Sequence, residues 1–270
     1  MKIIIITRGR VGKQSTLANL PKEFWEDTLI CCPPDERHDF GVTSREVENG
    51  LVLPTMLYEP WPMDYSQKFQ WILDGADGQL SGKVVIMDDD LRFCVRDPAN
   101  PTKLLSDDMW GSGLADGLYL MEELLDDYPL IGFHPRAMAN NCSDGVMLNK
   151  RINAVQGLNL DLIGDVGVAK YPILADMFLN LTLLTRGQEN ALICGPYWDQ
   201  VGTSNAPGGC SLHRTWEQQR DVVLGLEVAF PQFVTVKQKV VKNGWWGPDK
   251  PRYDFIIQWK KAAEYGQRNA

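Results

Sequence analysis

Lys83-Val84-Val85-Ile86-Met87-Asp88-Asp89-Asp90 is an apolar, largely β-branched run closed by three carboxylates, and its reading decides the fold. An apolar run without polar alternation describes a strand covered on both faces, the mark of a mostly parallel sheet between helices. In open α/β sheets ligands bind beyond the carboxyl ends of the strands, so these acids stand where a site is expected. Three adjacent anions repel one another unless a cation lies among them. Residues two apart on an extended chain point the same way. Asp88 and Asp90 are therefore expected to converge on one hard ion, Mg²⁺ or Mn²⁺, that also takes phosphate oxygens. A solvated acidic turn is the alternative reading.

Outward from that strand, short apolar runs alternate with amphipathic stretches in both directions. Strands are expected at Ile3–Thr7, Thr28–Cys32, Leu130–Phe133, Leu192–Gly195, Phe233–Val241 and Asp254–Trp259. Helices are expected at Gln14–Leu20, Ser44–Asn49, Asp64–Gly75, Asp107–Tyr128, Pro172–Arg186 and Trp216–Leu226. The loop-rich stretch Pro196–Gly209 reads as a candidate lid. The series is α/β, a mixed but mostly parallel central sheet flanked by helices.

The chain has 270 residues, 44% of them hydrophobic and 23% charged, enough for a real core. Repeats are absent, and no apolar run approaches a membrane span, so no membrane partner is expected. Met1–Ile6 is too short for a signal peptide and reads as a strand. Six cysteines without CxxC spacing indicate neither a zinc knuckle nor a disulfide scaffold, and reduced thiols in a cytoplasm are expected. The net charge of −8 argues against a protein that coats nucleic acid electrostatically. Residues 231–270 run against that trend, with eight lysines and arginines against three acids.

Two phosphate chemistries place a DxD after a buried strand. A dehalogenase-type phosphatase would use Asp88 as nucleophile, with Gly164-Asp165 as a later acidic motif, but its motif belongs near the N-terminus. A GT-A glycosyltransferase, whose DxD bridges a divalent metal and a nucleotide sugar, suits a fourth strand better. Thr7-Arg8-Gly9-Arg10-Val11-Gly12-Lys13-Gln14 is not a Walker loop, because Gln14 stands where Ser or Thr must follow the lysine. It is a glycine-flexed turn whose Arg8 and Arg10 can grip a pyrophosphate or stack on a base, or else a surface turn with two solvated arginines.

Thr7-Arg8-Gly9-Arg10, Thr16-Leu17, Leu20-Pro21, Lys68-Phe69-Gln70-Trp71-Ile72-Leu73, Ile86-Met87-Asp88-Asp89-Asp90-Leu91 and Gly208-Gly209-Cys210-Ser211-Leu212-His213-Arg214-Thr215 together resemble the TET-associated glycosyltransferases of bacteriophages. The resemblance spans most of the chain. It implies a GT-A nucleotide-diphospho-sugar transferase fold, with a UDP-sugar donor, Mn²⁺ or Mg²⁺, and DNA carrying 5-hydroxymethylcytosine as acceptor. A phage-encoded chain would work in the host cytoplasm. Thr7, Arg8, Gly9, Arg10, Lys68, Asp88 and Asp89 would then hold the donor, and Asp88, Asp90 and His213 the metal. On this reading residues 1–230 form the catalytic domain, with a nucleotide half to about 95 and an acceptor half beyond it, and 231–270 a basic strand extension.

Asp176, near the start of its helix, matches the position from which an acidic residue faces the acceptor in such enzymes. A helix-end carboxylate with no catalytic task fits equally. His213 is either a metal ligand or a locally bonded loop histidine. Lys237, Lys239, Lys242, Trp245, Trp246 and Arg252 combine positive charge with aromatics, as a surface that tracks a phosphate backbone and stacks on bases requires. An edge strand with one buried face is the competing account of this stretch.

Overall fold

The computed structural model describes residues 1–36, 39, 55–106, 113–142, 145–200, 214–240 and 250–270. β1 (Lys2–Ile6), β2 (Thr28–Cys32), β3 (Thr55–Tyr58) and β4 (Lys83–Asp88) pair in parallel in the order β3-β2-β1-β4. The chain then turns at Asp89-Asp90 into β5 (Leu91–Asp97), β6 (Asn100–Ser106), β7 (Leu130–Pro135), β8 (Gly145–Leu148), β9 (Val155–Asn159) and β10 (Ala191–Gln200). The sheet continues from β4 as β9-β7-β10-β5-β6, with β8 also on β10. The β4–β9, β9–β7, β10–β5, β10–β8 and β5–β6 pairs are antiparallel, and β7–β10 is parallel. Ten strands form one mixed sheet, most of them running in one direction.

Side-chain placement along β4 shows why the sheet is covered twice. Val84 and Ile86 enter one core with Phe69 and Ile72 of α2 (Tyr65–Leu73) and Leu179 and Leu183 of α5 (Ala175–Thr185). Val85 and Met87 enter the opposite core with Leu114, Leu118 and Met121 of α3 (Gly113–Leu124). Alternate side chains go to opposite faces, and both faces are apolar, so the run cannot alternate with polar residues. α1 (Ser15–Asn19) follows the β1 turn, and α4 (Leu160–Ile163) follows β9. β4 begins at Lys83 as expected and includes Asp88 as its last residue.

Both strands expected in the C-terminal stretch form, apart from the main sheet. β11 (Val234–Lys239) and β12 (Arg252–Ile257) form a separate antiparallel pair off the main sheet. Trp259–Asn269 is helical, α7, where the sequence pattern carries a strand through Trp259. Together with α6 (Trp216–Ala229), these elements close a satellite core over the Leu174–Leu184 face of α5. The expected helix Ser44–Asn49 lies outside the described residues, as does most of the candidate lid.

The cysteine expectation also needs correction. Cys142 and Cys194 form a disulfide, with Cα atoms 5.9 Å apart across 52 residues of sequence. That pairing depends on β10 being brought beside the segment after β7, which no local spacing could reveal. Cys31, Cys32 and Cys94 are buried and lie outside any disulfide. Among the described residues no helix is long and apolar enough to cross a membrane.

α7 docks by direct backbone contact. A Cβ on Gly266 would lie 1.9 Å from the Leu184 carbonyl oxygen and 2.5 Å from the Gly187 nitrogen. Helix propensity alone favours alanine over glycine by about 1 kcal/mol. The clash must outweigh it, because the atoms met are backbone. Gly266→Ala is expected to cost about 2–3 kcal/mol net, an overpacking penalty, read as a fall in thermal midpoint. An unchanged midpoint would show that α7 docks differently.

Candidate active site

A cavity of about 360 Å³ opens at the carboxyl ends of β1 and β4, where strand order turns from β2 on one side to β4 on the other. This is the crevice at which open α/β sheets bind ligands, and its volume falls in the ligand-binding range. Thr7, Arg8, Arg10, Lys68, Asp88, Asp89, Asp90 and Asp176 all line it, although they come from four separate stretches of sequence.

The acidic turn is tied down from two sides. Thr16 Oγ1 donates to the Asp88 carbonyl at 2.5 Å and accepts from the Leu91 amide at 2.8 Å, which fastens α1 to the turn. Thr7 Oγ1 donates to Asp89 Oδ2 at 2.5 Å, and Arg10 Nη1 pairs with Asp89 Oδ1 and, at 2.9 Å, with Asp90 Oδ2. Strand geometry ends at Asp88, so the expected alternation of Asp88 and Asp90 along an extended chain does not describe this turn. Asp89, buried on the cavity wall, accepts from Thr7 and pairs with Arg10, which ties the acidic turn to the β1 turn.

For Asp88 the charge of Arg10 is outweighed. Burial, then Asp90, Asp89 and Asp176, push its carboxyl well above the ordinary range. Asp89 is also raised, since its burial outweighs the Thr7 bond and the Arg10 charge. Arg10 is raised too. Burial opposes its charge, but two carboxylates act on one guanidinium and prevail.

This concentration of negative charge supplies the test of whether a metal fits. Among the described residues no group of three or more His, Cys, Asp or Glu side chains could hold a metal ion. Asp88 and Asp90 on the cavity wall nevertheless suit a hard divalent cation that keeps one or two carboxylates and takes its other ligands from phosphate or water. His213 lies outside the described residues.

Lys68 lines the cavity from within an ion pair. Its ammonium is buried against Glu59 and donates to the Thr7 carbonyl at 3.3 Å. Glu59 in turn accepts from the Met63 amide at 2.9 Å, so the pair braces the β3–α2 connection against the end of β1. Glu59 was not legible as a partner, since nothing local marks it. Gly9, at φ +68°, donates its amide to Glu36 Oε1 at 2.7 Å and is absent from the cavity lining. Its positive φ favours glycine.

Asp176 sits in the first turn of α5 and faces the cavity. Burial pushes its carboxyl up to about 6, against the pull of Arg151, backbone amides of its own turn and Arg214. Arg151, Asn153, Arg214, Gln200, Gln218 and Gln219 also line the space, and no sequence pattern assigned any of them a role. Arg214 stood inside a quoted motif, which was the available signal; Arg151 belongs to no motif.

The basic surface is less open than its composition suggests. Lys237, Lys239 and Arg252 are exposed on β11 and β12 and do not line the cavity. Lys239 and Arg252 both pair with Asp254. Tyr253, Phe255 and Trp259 pack against the satellite core, so these rings are not free stacking platforms. Lys242, Trp245 and Trp246 lie outside the described residues.

Fold and cavity define an α/β protein with an acidic and basic crevice at a sheet switch point. No protein-family model and no curated protein matches the chain. Among solved structures it is similar to a mannose-1-phosphate geranyltransferase from Thermus thermophilus. Identity is 12%, covering 73% of this chain and 75% of that one, with a TM-score of 0.35.

Proposed function

We propose that the protein is a metal-dependent glycosyltransferase of the GT-A type, which moves a sugar from a UDP-linked donor to an acceptor hydroxyl. One observation carries the reading: a single crevice gathers the Arg8–Arg10 turn, the Asp88–Asp90 turn and Asp176. Guanidiniums for a diphosphate, carboxylates for a hard cation and a separate carboxylate with a raised pKa are the three parts that glycosyl transfer from a nucleotide diphosphate requires.

Asp88 and Asp90 would hold Mn²⁺ or Mg²⁺. Bound there, the ion supplies neutralisation of the departing diphosphate. Arg8, whose Nη1 donates to the Met63 carbonyl at 3.3 Å, and Arg10, fixed by Asp89, orient the nucleotide. Asp176, with its carboxyl pushed to about 6, is ionised above neutrality and basic enough to take the acceptor proton as the new bond forms.

The acceptor we propose is the hydroxymethyl group of 5-hydroxymethylcytosine in phage DNA. Its support is the sequence resemblance to the TET-associated glycosyltransferases and the exposed Lys237. The spending of Lys239 and Arg252 on Asp254 favours a second reading, with the same reaction on a glycan, protein or small molecule. Mass spectrometry of nucleosides from hydroxymethylated DNA incubated with the protein, Mn²⁺ and a panel of nucleotide sugars decides. A hexose or pentose increment is expected on the modified nucleoside. No increment across the panel, with sugar appearing on other acceptors, moves the assignment to the second reading; no transfer to any acceptor removes both.

A further inference from the structure

The loop between β8 and β9, residues 149–154, is built around one side chain. Two non-glycine residues in the left-handed region, Asn149 at φ +58° and Ala154 at φ +60°, bound it. Two fully buried asparagines, Asn180 of α5 and Asn190 before β10, grip its backbone. Asn190 accepts from the Lys150 amide at 2.9 Å and donates to the Lys150 carbonyl at 2.9 Å. Asn180 accepts from the Ile152 amide at 3.3 Å and donates to the Ile152 carbonyl at 3.0 Å. The two amides are joined at 3.0 Å, and Asn180 also donates to the Asp176 carbonyl at 2.7 Å.

Residues 150 and 152 thus have both backbone polar groups satisfied by buried side chains, and Arg151 stands between them. Burying two primary amides is tolerable only when their hydrogen-bonding groups are met, so this network fixes the loop rather than filling space. Ile152 is fully buried as an anchor, whereas Arg151 is exposed and lines the cavity. Its guanidinium makes no hydrogen bond or ion pair among the described residues, and it is the cation acting most strongly on Asp176. A fork of five donors carried on a clamped backbone at the cavity wall matches the oxygens of a phosphate. The network also reaches the Asp176 carbonyl, so the backbones that carry this cation and that carboxylate are tied by the same two amides.

We infer that Arg151 is a phosphate-binding residue of the cavity, presented by the Asn180–Asn190 clamp. The phosphate has two possible sources, the donor diphosphate and an acceptor phosphodiester, and naming them rests on the transferase reading; phosphate binding itself does not. Titration calorimetry of the wild-type chain, R151Q, R151K and N190A tests it. The probes are inorganic pyrophosphate, UDP with Mn²⁺, and a hydroxymethylcytosine duplex. R151Q is expected to weaken pyrophosphate binding about tenfold or more, as loss of a bidentate charged contact does. R151K should fall between, keeping charge without the fork. N190A should weaken the same probe with Arg151 intact. Accompanying loss of UDP affinity marks the donor as the source, and loss of duplex affinity marks the acceptor. Binding of all three probes by R151Q within twofold of wild type, or no pyrophosphate binding by wild type, overturns the assignment. Unchanged affinity in N190A overturns the clamp. Failure of the transferase reading is separate: pyrophosphate binding would depend on Arg151 while no sugar is transferred in the nucleoside assay.

Discussion

Asp88→Asn is expected to abolish sugar transfer while raising the thermal midpoint of the metal-free protein. The two effects have one cause. Asp88 lies at the end of β4 with Asp89, Asp90 and Asp176 as neighbours, and its carboxyl is raised by burial and by all three. Asparagine keeps its shape and removes one charge from that cluster, so the fold gains what the repulsion had cost. Function loses what the repulsion had provided, an attraction for a cation that faces phosphate. Removing a group that stabilises transition-state charge costs about 10²–10³ in turnover, and a metal ligand stands at the upper end. Differential scanning fluorimetry with chelator, Mn²⁺ binding, and product formation form the set of measurements. A variant that is less stable than wild type, or that transfers sugar within tenfold of it, contradicts this account of the site.

Asp176→Asn separates catalysis from helix-end electrostatics. With a carboxyl pushed up to about 6 from an ordinary value of 3.8, the native state favours the protonated form. The sign follows by linkage. The wild-type chain holds that contribution fully below the ordinary value of 3.8 and loses it as pH rises to about 6, because over that range the unfolded chain ionises while the folded protein keeps its acid protonated. A shift of about two pH units corresponds to roughly 2–3 kcal/mol, an upper figure for a group that keeps some exposure. Asparagine carries no such penalty. The stability difference between variant and wild type should therefore be near zero at pH 4 and grow to a plateau above pH 6. Turnover should fall by about 10²–10⁴, the usual worth of a positioned general base, with UDP affinity retained. A flat stability difference would reject the buried acid, and unchanged turnover would leave Asp176 a helix-end charge.

Elements with strong local chemistry were legible in the chain. β1 and β4 stand out because burial on both faces allows nothing but apolar residues, and α2 because Phe69 and Ile72 recur on one side and Asp64 forms a capping box with Gln67. β9 was missed. Its Gln156 and Gly157 look like loop residues, yet Gly157 is required where a Cβ would meet Met121 Sδ at 2.6 Å. α7 is strongly amphipathic, but its buried face consists of the small residues Ala262, Ala263 and Gly266 in an otherwise polar run, and the strand pattern of Asp254–Trp259 overlaps its start. Of the two accounts of the aromatic stretch beside it, the strand with one buried face describes Tyr253, Phe255 and Trp259, which pack inward on a satellite core that only α5 and α6 complete.

The candidate site divides along the same line. Local sequence was enough to mark the Arg8–Arg10 turn, the Asp88–Asp90 turn and Asp176 as candidates, because strand ends and helix starts are where an α/β sheet meets a ligand, although a plain helix-end charge explained Asp176 equally. Folding alone decided their partners. It placed Asp89 under Thr7 and Arg10, spent Lys68 on Glu59, and set Arg151 opposite Asp176 through two distant asparagines. Residue type fixes what a side chain can donate, accept or repel. Which other group receives it depends on strand order and packing, and those join positions tens of residues apart that carry no mark of one another in the chain.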